Sequence, residues 1–152
     1  MKLSYTGLIS LAPDTGEPNL IFRPEIQVTI HGPRGSRDLL ALVDTGADNT
    51  IFPEATASAL GIPLIPTAGP SARAYGGQAI SLSYADVELE LIQEEVRWQW
   101  NARVFFAASA AQGESVVLGH QGFLEYFTAT FFGDECALEL VPNTELPSIS
   151  RG

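Results

Sequence analysis

The chain has 152 residues, 45% of them hydrophobic and 17% charged, which is enough apolar material for one folded core and argues against disorder. Its 18 acids against 8 bases give a net charge of -10, a surface that repels phosphate backbones and offers an anionic membrane no basic run. The single cysteine, Cys136, closes no internal disulfide and lies in an apolar stretch, so it reads as a structural thiol rather than a nucleophile.

Met1 to Gly7 lacks the apolar core of a signal peptide, and no apolar stretch approaches the roughly 20 residues that span a bilayer. The expectation is a cytoplasmic chain with no membrane or nucleic-acid partner. Ala12-Pro13-Asp14-Thr15-Gly16-Glu17-Pro18 reads as a hairpin or loop turn between prolines. Leu20 to Ile30 reads as a strand, followed by a turn through His31 to Ser36 and a continuous apolar run from Leu39 to Val43. These two strands form a hairpin. Pro53 then opens a short helix, Glu54 to Leu60, that Gly61 stops.

From Ala79 to Ile92 the chain alternates, with Val87, Leu89 and Leu91 on one face and Glu88 and Glu90 on the other, as a half-exposed strand does. Val96, Trp98 and Trp100 continue the alternation after a turn at Gln93 to Glu95. Core or dimer packing suits the tryptophan pair better than a ligand platform. Val104 to Phe106 and Val116 to Leu118 are further buried strands, Gln121 to Tyr126 a brief helix, and Thr128 to Phe132 with Ala137 to Leu140 a last hairpin. The expected fold is all-β, with residues 1–141 as a single domain and 142–152 as a C-terminal tail.

The segment Leu42-Val43-Asp44-Thr45-Gly46-Ala47-Asp48-Asn49-Thr50-Ile51-Phe52 carries the chemistry. A buried strand delivers Asp44 to a turn, which holds its carboxylate beside low-dielectric surroundings. Thr45 has a hydroxyl to lock the turn, Gly46 permits close approach of another chain, and Ala47 leaves room above the acid. Asp-Thr-Gly alone is weak evidence, as its second copy at Asp14 demonstrates. Asp44 read by itself serves equally as a turn residue bonding its own backbone.

Leu42 to Phe52 resembles the catalytic segment of retropepsin-like aspartic peptidases. Ala74-Tyr75-Gly76-Gly77-Gln78-Ala79-Ile80 resembles the glycine-rich flap of that family and its return strand, and Val117-Leu118-Gly119-His120-Gln121-Gly122-Phe123-Leu124 its late apolar-apolar-Gly motif and short helix. The likeness is closer to cellular, bacterial-type members than to viral ones. Viral members carry Arg and then Asp or Asn after the late glycine, where this chain has His120 and Gln121. His120 fits a structural hydrogen bond better than a catalytic role.

The resemblance implies a closed acid-protease barrel with one or two short helices. It implies catalysis by Asp44, loop support from Thr45 and Gly46, and substrate contacts from Gly46, Ala47, Asp48, Tyr75, Gly76 and Gly77. No metal or cofactor is called for, and His31 and His120 form no ligand-spaced cluster. Such a peptidase needs two carboxylates. Asp14 stands only 30 residues from Asp44, too few for another lobe, so the second carboxylate must come from a second copy of the chain. The partners expected are therefore the chain itself, as a homodimer, and a peptide or protein substrate. The competing reading keeps the fold as a catalytically silent peptide-binding or assembly module.

Overall fold

A computed structural model of the protein describes residues 1–69, 72–73, 79–108 and 115–147. The strands run β1 (Lys2–Ser4), β2 (Thr6–Leu11), β3 (Pro18–Arg23), β4 (Glu25–Gly32), β5 (Gly35–Val43) and β6 (Ile51–Pro53). Helix α1 (Glu54–Leu60) follows, then β7 (Ile65–Pro66), β8 (Ala72–Arg73), β9 (Ala79–Ile80), β10 (Leu82–Gln93), β11 (Val96–Ala107) and β12 (Val116–Leu118). A 3-10 turn (Leu124–Tyr126) leads into β13 (Phe127–Phe132) and β14 (Ala137–Pro142).

The barrel closes on itself. Strands pair in the order β11-β6-β12-β5-β4-β10, and β10 pairs back onto β11, so six strands complete the circuit with β7 appended to β10. Closure leaves those strands without open edges. The long β10–β11 ladder, in register from Leu82↔Ala107 to Gln93↔Val96, is its largest wall. Phe52, Phe106, Leu89, Val104 and Leu118 fill the interior and are fully buried. This is the retropepsin-like barrel that the sequence leads one to expect, with one short helix and one 3-10 turn.

Several elements follow from single residues. Pro24 divides the run expected as one strand from Leu20 to Ile30, since it has no N–H to continue a ladder. Before it, β3 pairs with β2; after it, β4 pairs with β5. The β2–β3 hairpin turns through Asp14-Thr15-Gly16, where Gly16 sits at φ 70, so this copy of the tripeptide is a turn as expected. Helix α1 ends at Gly61, whose left-handed φ of 67 suits a residue without a side chain.

Val87, Leu89 and Leu91 face inward as their alternation requires, but Glu90 on the opposite face is buried too. It lies 3.5 Å from Arg97 and 3.8 Å from His31, which together cover its carboxylate. Trp100 is buried and Trp98 partly so, and both stack on Phe127, at centroid distances of 5.4 and 5.5 Å. The tryptophan pair is therefore core. β1, where the alternation gave no strand, pairs with β14 and stitches the start of the chain to the last hairpin. Cys136 is half-buried at φ 47 in the turn of that hairpin. Beyond Pro142, Asn143 donates from its side chain to the Glu125 carbonyl at 2.9 Å.

Candidate active site

Asp44 stands one residue past the end of β5. Its N–H continues the parallel ladder by donating to the Leu118 carbonyl at 3.0 Å, so the position is as fixed as a strand residue. Period-two geometry puts Asp44 on the face of Leu40 and Leu42, opposite the buried Ala41 and Val43. Its Oδ1 accepts the Gly46 N–H at 2.8 Å, and its carbonyl accepts the Ala47 N–H at 3.2 Å. Oδ2 takes no hydrogen bond from the described residues. One oxygen is thus held by the loop while the other is left for a ligand. A side chain at Gly46 would put a carbon 3.3 Å from Oδ1 and crowd the carboxylate.

The loop is tied to a second one. The Ala47 carbonyl accepts the His120 N–H and the Asp48 carbonyl the Gln121 N–H, both at 2.9 Å, while Thr50 N–H donates back to the Gln121 carbonyl at 3.0 Å. His120 bonds here through its backbone N–H, with its side chain exposed. Thr50, fully buried, accepts the Gly119 N–H on its hydroxyl at 3.2 Å. These bonds account for the late Val-Leu-Gly motif. A Cβ at Gly119 would stand 2.3 Å from the Asn49 carbonyl oxygen and 2.7 Å from that of Ala47, so only glycine lets the two loops meet. Behind them Trp100 Nε1 donates to the Gly122 carbonyl at 3.1 Å, fixing the second loop on β11.

Of the expected site residues, Asp44, Thr45, Gly46, Ala47 and Asp48 share this loop, with Thr45, Gly46 and Asp48 exposed on the protomer. Tyr75, Gly76 and Gly77 lie outside the described residues. The antiparallel pairs Ala72↔Ile80 and Arg73↔Ala79 bracket them. Sequence reasoning missed Thr50, whose signal was a lone hydroxyl placed against the apolar Ile51-Phe52. It also missed a recess of about 310 Å³ whose lining includes Arg23, Glu25, Leu40, Leu42 and Val117. Val117 stands in register with Leu42, two residues before Asp44, so the recess lies along the Leu40 and Leu42 face of β5, and no residue from Asp44 to Asp48 lines it. Arg23 and Glu25 pair across its rim at 3.3 Å.

Residues 26–97, which hold the Asp44 loop, match the family model described as aspartyl protease. This region is similar to the aspartyl proteases. Among solved structures, the chain is similar to the EIAV protease complexed with the inhibitor HBY-793, with 21% identity and a TM-score of 0.45 over 64% of this chain and 82% of that one. No curated protein matches. Within the matched region, Asp44 is the acid that ends the buried strand. The Gly119 loop that braces it lies outside the matched residues and is joined to it only by the fold.

Proposed function

We propose that the protein is an aspartic endopeptidase in which Asp44 and its counterpart from a second copy flank a water at a two-fold axis. The observation that carries this reading is the state of the Asp44 carboxylate: anchored through Oδ1 to the Gly46 N–H, in a loop that the Gly119 loop braces. A turn aspartate with only a local part needs no such second loop behind it.

Two carboxylates a few Å apart cannot both ionise, so they share one proton and titrate as a pair. The ionised member takes a proton from the water as its oxygen attacks the scissile carbonyl carbon. The protonated member donates a hydrogen bond to the carbonyl oxygen. Collapse of the tetrahedral species breaks the C–N bond, and the leaving nitrogen takes a proton from the pair. The recess over Leu40, Leu42 and Val117 offers room for a substrate side chain.

The test is cleavage of unfolded casein or a peptide library at mildly acidic pH by wild type and Asp44→Asn. Wild type is expected to cleave and the variant to lose at least a thousandfold, the scale on which losing a member of a catalytic constellation is felt. Equal cleavage by the two, or none by either at any pH and concentration, rules the peptidase reading out in favour of a silent binding module.

A further inference from the structure

The β2–β3 hairpin carries a face that the barrel does not use. Antiparallel pairing puts Gly7 opposite Phe22, Ile9 opposite Leu20 and Leu11 opposite Pro18, so these six residues share one side of the ribbon. All six are exposed, Ile9 at 75%, Leu11 at 66%, Leu20 at 57% and Phe22 at 50%. The other side, with Leu8 and Ile21, is half-buried. Among the described residues the two strands pair only with each other. A four-residue apolar cluster with no charge in it is a surface that water disfavours and that marks an interaction site.

The place of this ribbon in the fold says what covers it. The hairpin leaves the barrel at the Asp44 end of β5, where the Pro24 carbonyl accepts the Val43 N–H at 2.9 Å and the Glu25 carbonyl accepts the Thr6 hydroxyl at 2.8 Å. Arg23, its last residue, lines the recess over Leu40 and Leu42, the residues of β5 that lead to Asp44. Two copies that each carry a net charge of -10 repel, and they can meet closely only where charge is absent. The hairpin confines its charges to the turn, at Asp14 and Glu17, and to the base, at Arg23. A stable dimer also needs about 800 Å² from each partner, much of its centre apolar. Thr45, Gly46 and Asp48, exposed around the carboxylate, are too small and polar to supply it.

We infer that the apolar face of the β2–β3 hairpin packs on a second copy of this chain, as an arm that holds the two Asp44-bearing loops together. The inference rests on the homodimer reading above, and it names the surface that makes the dimer. Each copy gives one arm and receives one, as two-fold symmetry requires.

Sedimentation of wild type, the Leu20→Ser/Phe22→Ser double variant and an Ile92→Ser control tests it. Ile92 is comparably exposed, at 48%, and lies near the β10–β11 turn, outside the hairpin. Wild type and control are expected to dimerise alike, and the double variant to dimerise at least about a hundredfold more weakly, since the symmetric dimer loses four apolar side chains, two from each arm. Circular dichroism checks the fold of each, and Ile9→Ser on the opposite strand replaces the double variant should that one unfold. Dimerisation of the hairpin variants at wild-type strength overturns the inference. A wild type that dimerises through this face yet cleaves nothing sinks the peptidase reading and leaves the arm standing. A wild type that stays monomeric at all concentrations removes the homodimer and the arm with it. So does binding to neutral vesicles that the same substitutions abolish, which assigns the face to a lipid surface.

Discussion

At the scale of single residues, Gly119 and Thr50 hold the two site loops together more directly than any side chain the motif displays. Gly119→Ala drives a methyl against two backbone carbonyls that cannot retreat without pulling the Asp44 loop, and an overpacked site of this kind costs about 3 kcal/mol. Urea denaturation should show that loss, whereas Gly133→Ala, with nothing within 4 Å of the added carbon, should stay within about 0.5 kcal/mol of wild type. Thr50→Val leaves the buried Gly119 N–H without its acceptor and is expected to cost about 1 to 3 kcal/mol, with Thr50→Ser recovering most of it. A Thr50→Val protein as stable as wild type contradicts the role given to the hydroxyl. Asp44, Gly46 and Gly119 were legible in the sequence because an acid after an apolar strand and a glycine in a tight place leave a pattern. Thr50 was not legible. Its importance lies in a bond across 69 residues, and a hydroxyl beside an apolar run does not by itself reveal that partner.

At the scale of elements, the alternation of β10 and β11 was readable because one face of each lines the barrel, and a period of two follows directly. The same alternation misjudged Glu90, whose burial comes from Arg97 on β11 and His31 on β4 rather than from its own strand. Strand β1 escaped notice because three residues give too short a run to show periodicity, and it exists by pairing with β14. The wall formed by β10 and β11 offers its own test. Asp86 and Arg103 are cross-strand partners joined by two hydrogen bonds at 2.9 and 3.0 Å, and the guanidinium holds the Asp86 carboxyl below its ordinary range. A folded-state value below the unfolded one stabilises the protein above the unfolded pKa, and that contribution is lost as pH falls through the folded one. Arg103→Ala should therefore let Asp86 titrate at a higher pH, close to an ordinary aspartate, and remove this group's share of the acid-dependent loss of stability. A carboxyl-resolved NMR titration reads the shift directly, and an unmoved Asp86 contradicts the pairing.

At the scale of the whole molecule, the chain is a closed barrel that presents one acid at one end. The class of barrel followed from the order of Asp44, the glycine-rich segment at residues 74–80 and the late Val-Leu-Gly. Of residues 6–23 only the Asp14 turn and the stretch from Leu20 were legible, because the exposed apolar face of the hairpin breaks the rule that apolar residues point inward. The account stands or falls on whether two Asp44 residues act together. Mixing decides this: wild type held at a fixed amount is titrated with Asp44→Asn protein at exchange equilibrium, and peptide cleavage is followed. If each active unit needs two intact copies, cleavage falls in proportion to the wild-type fraction in the dimer pool, to about half its starting value at equal amounts and towards zero in excess variant. Cleavage that tracks the amount of wild type alone, untouched by excess variant, contradicts the shared site.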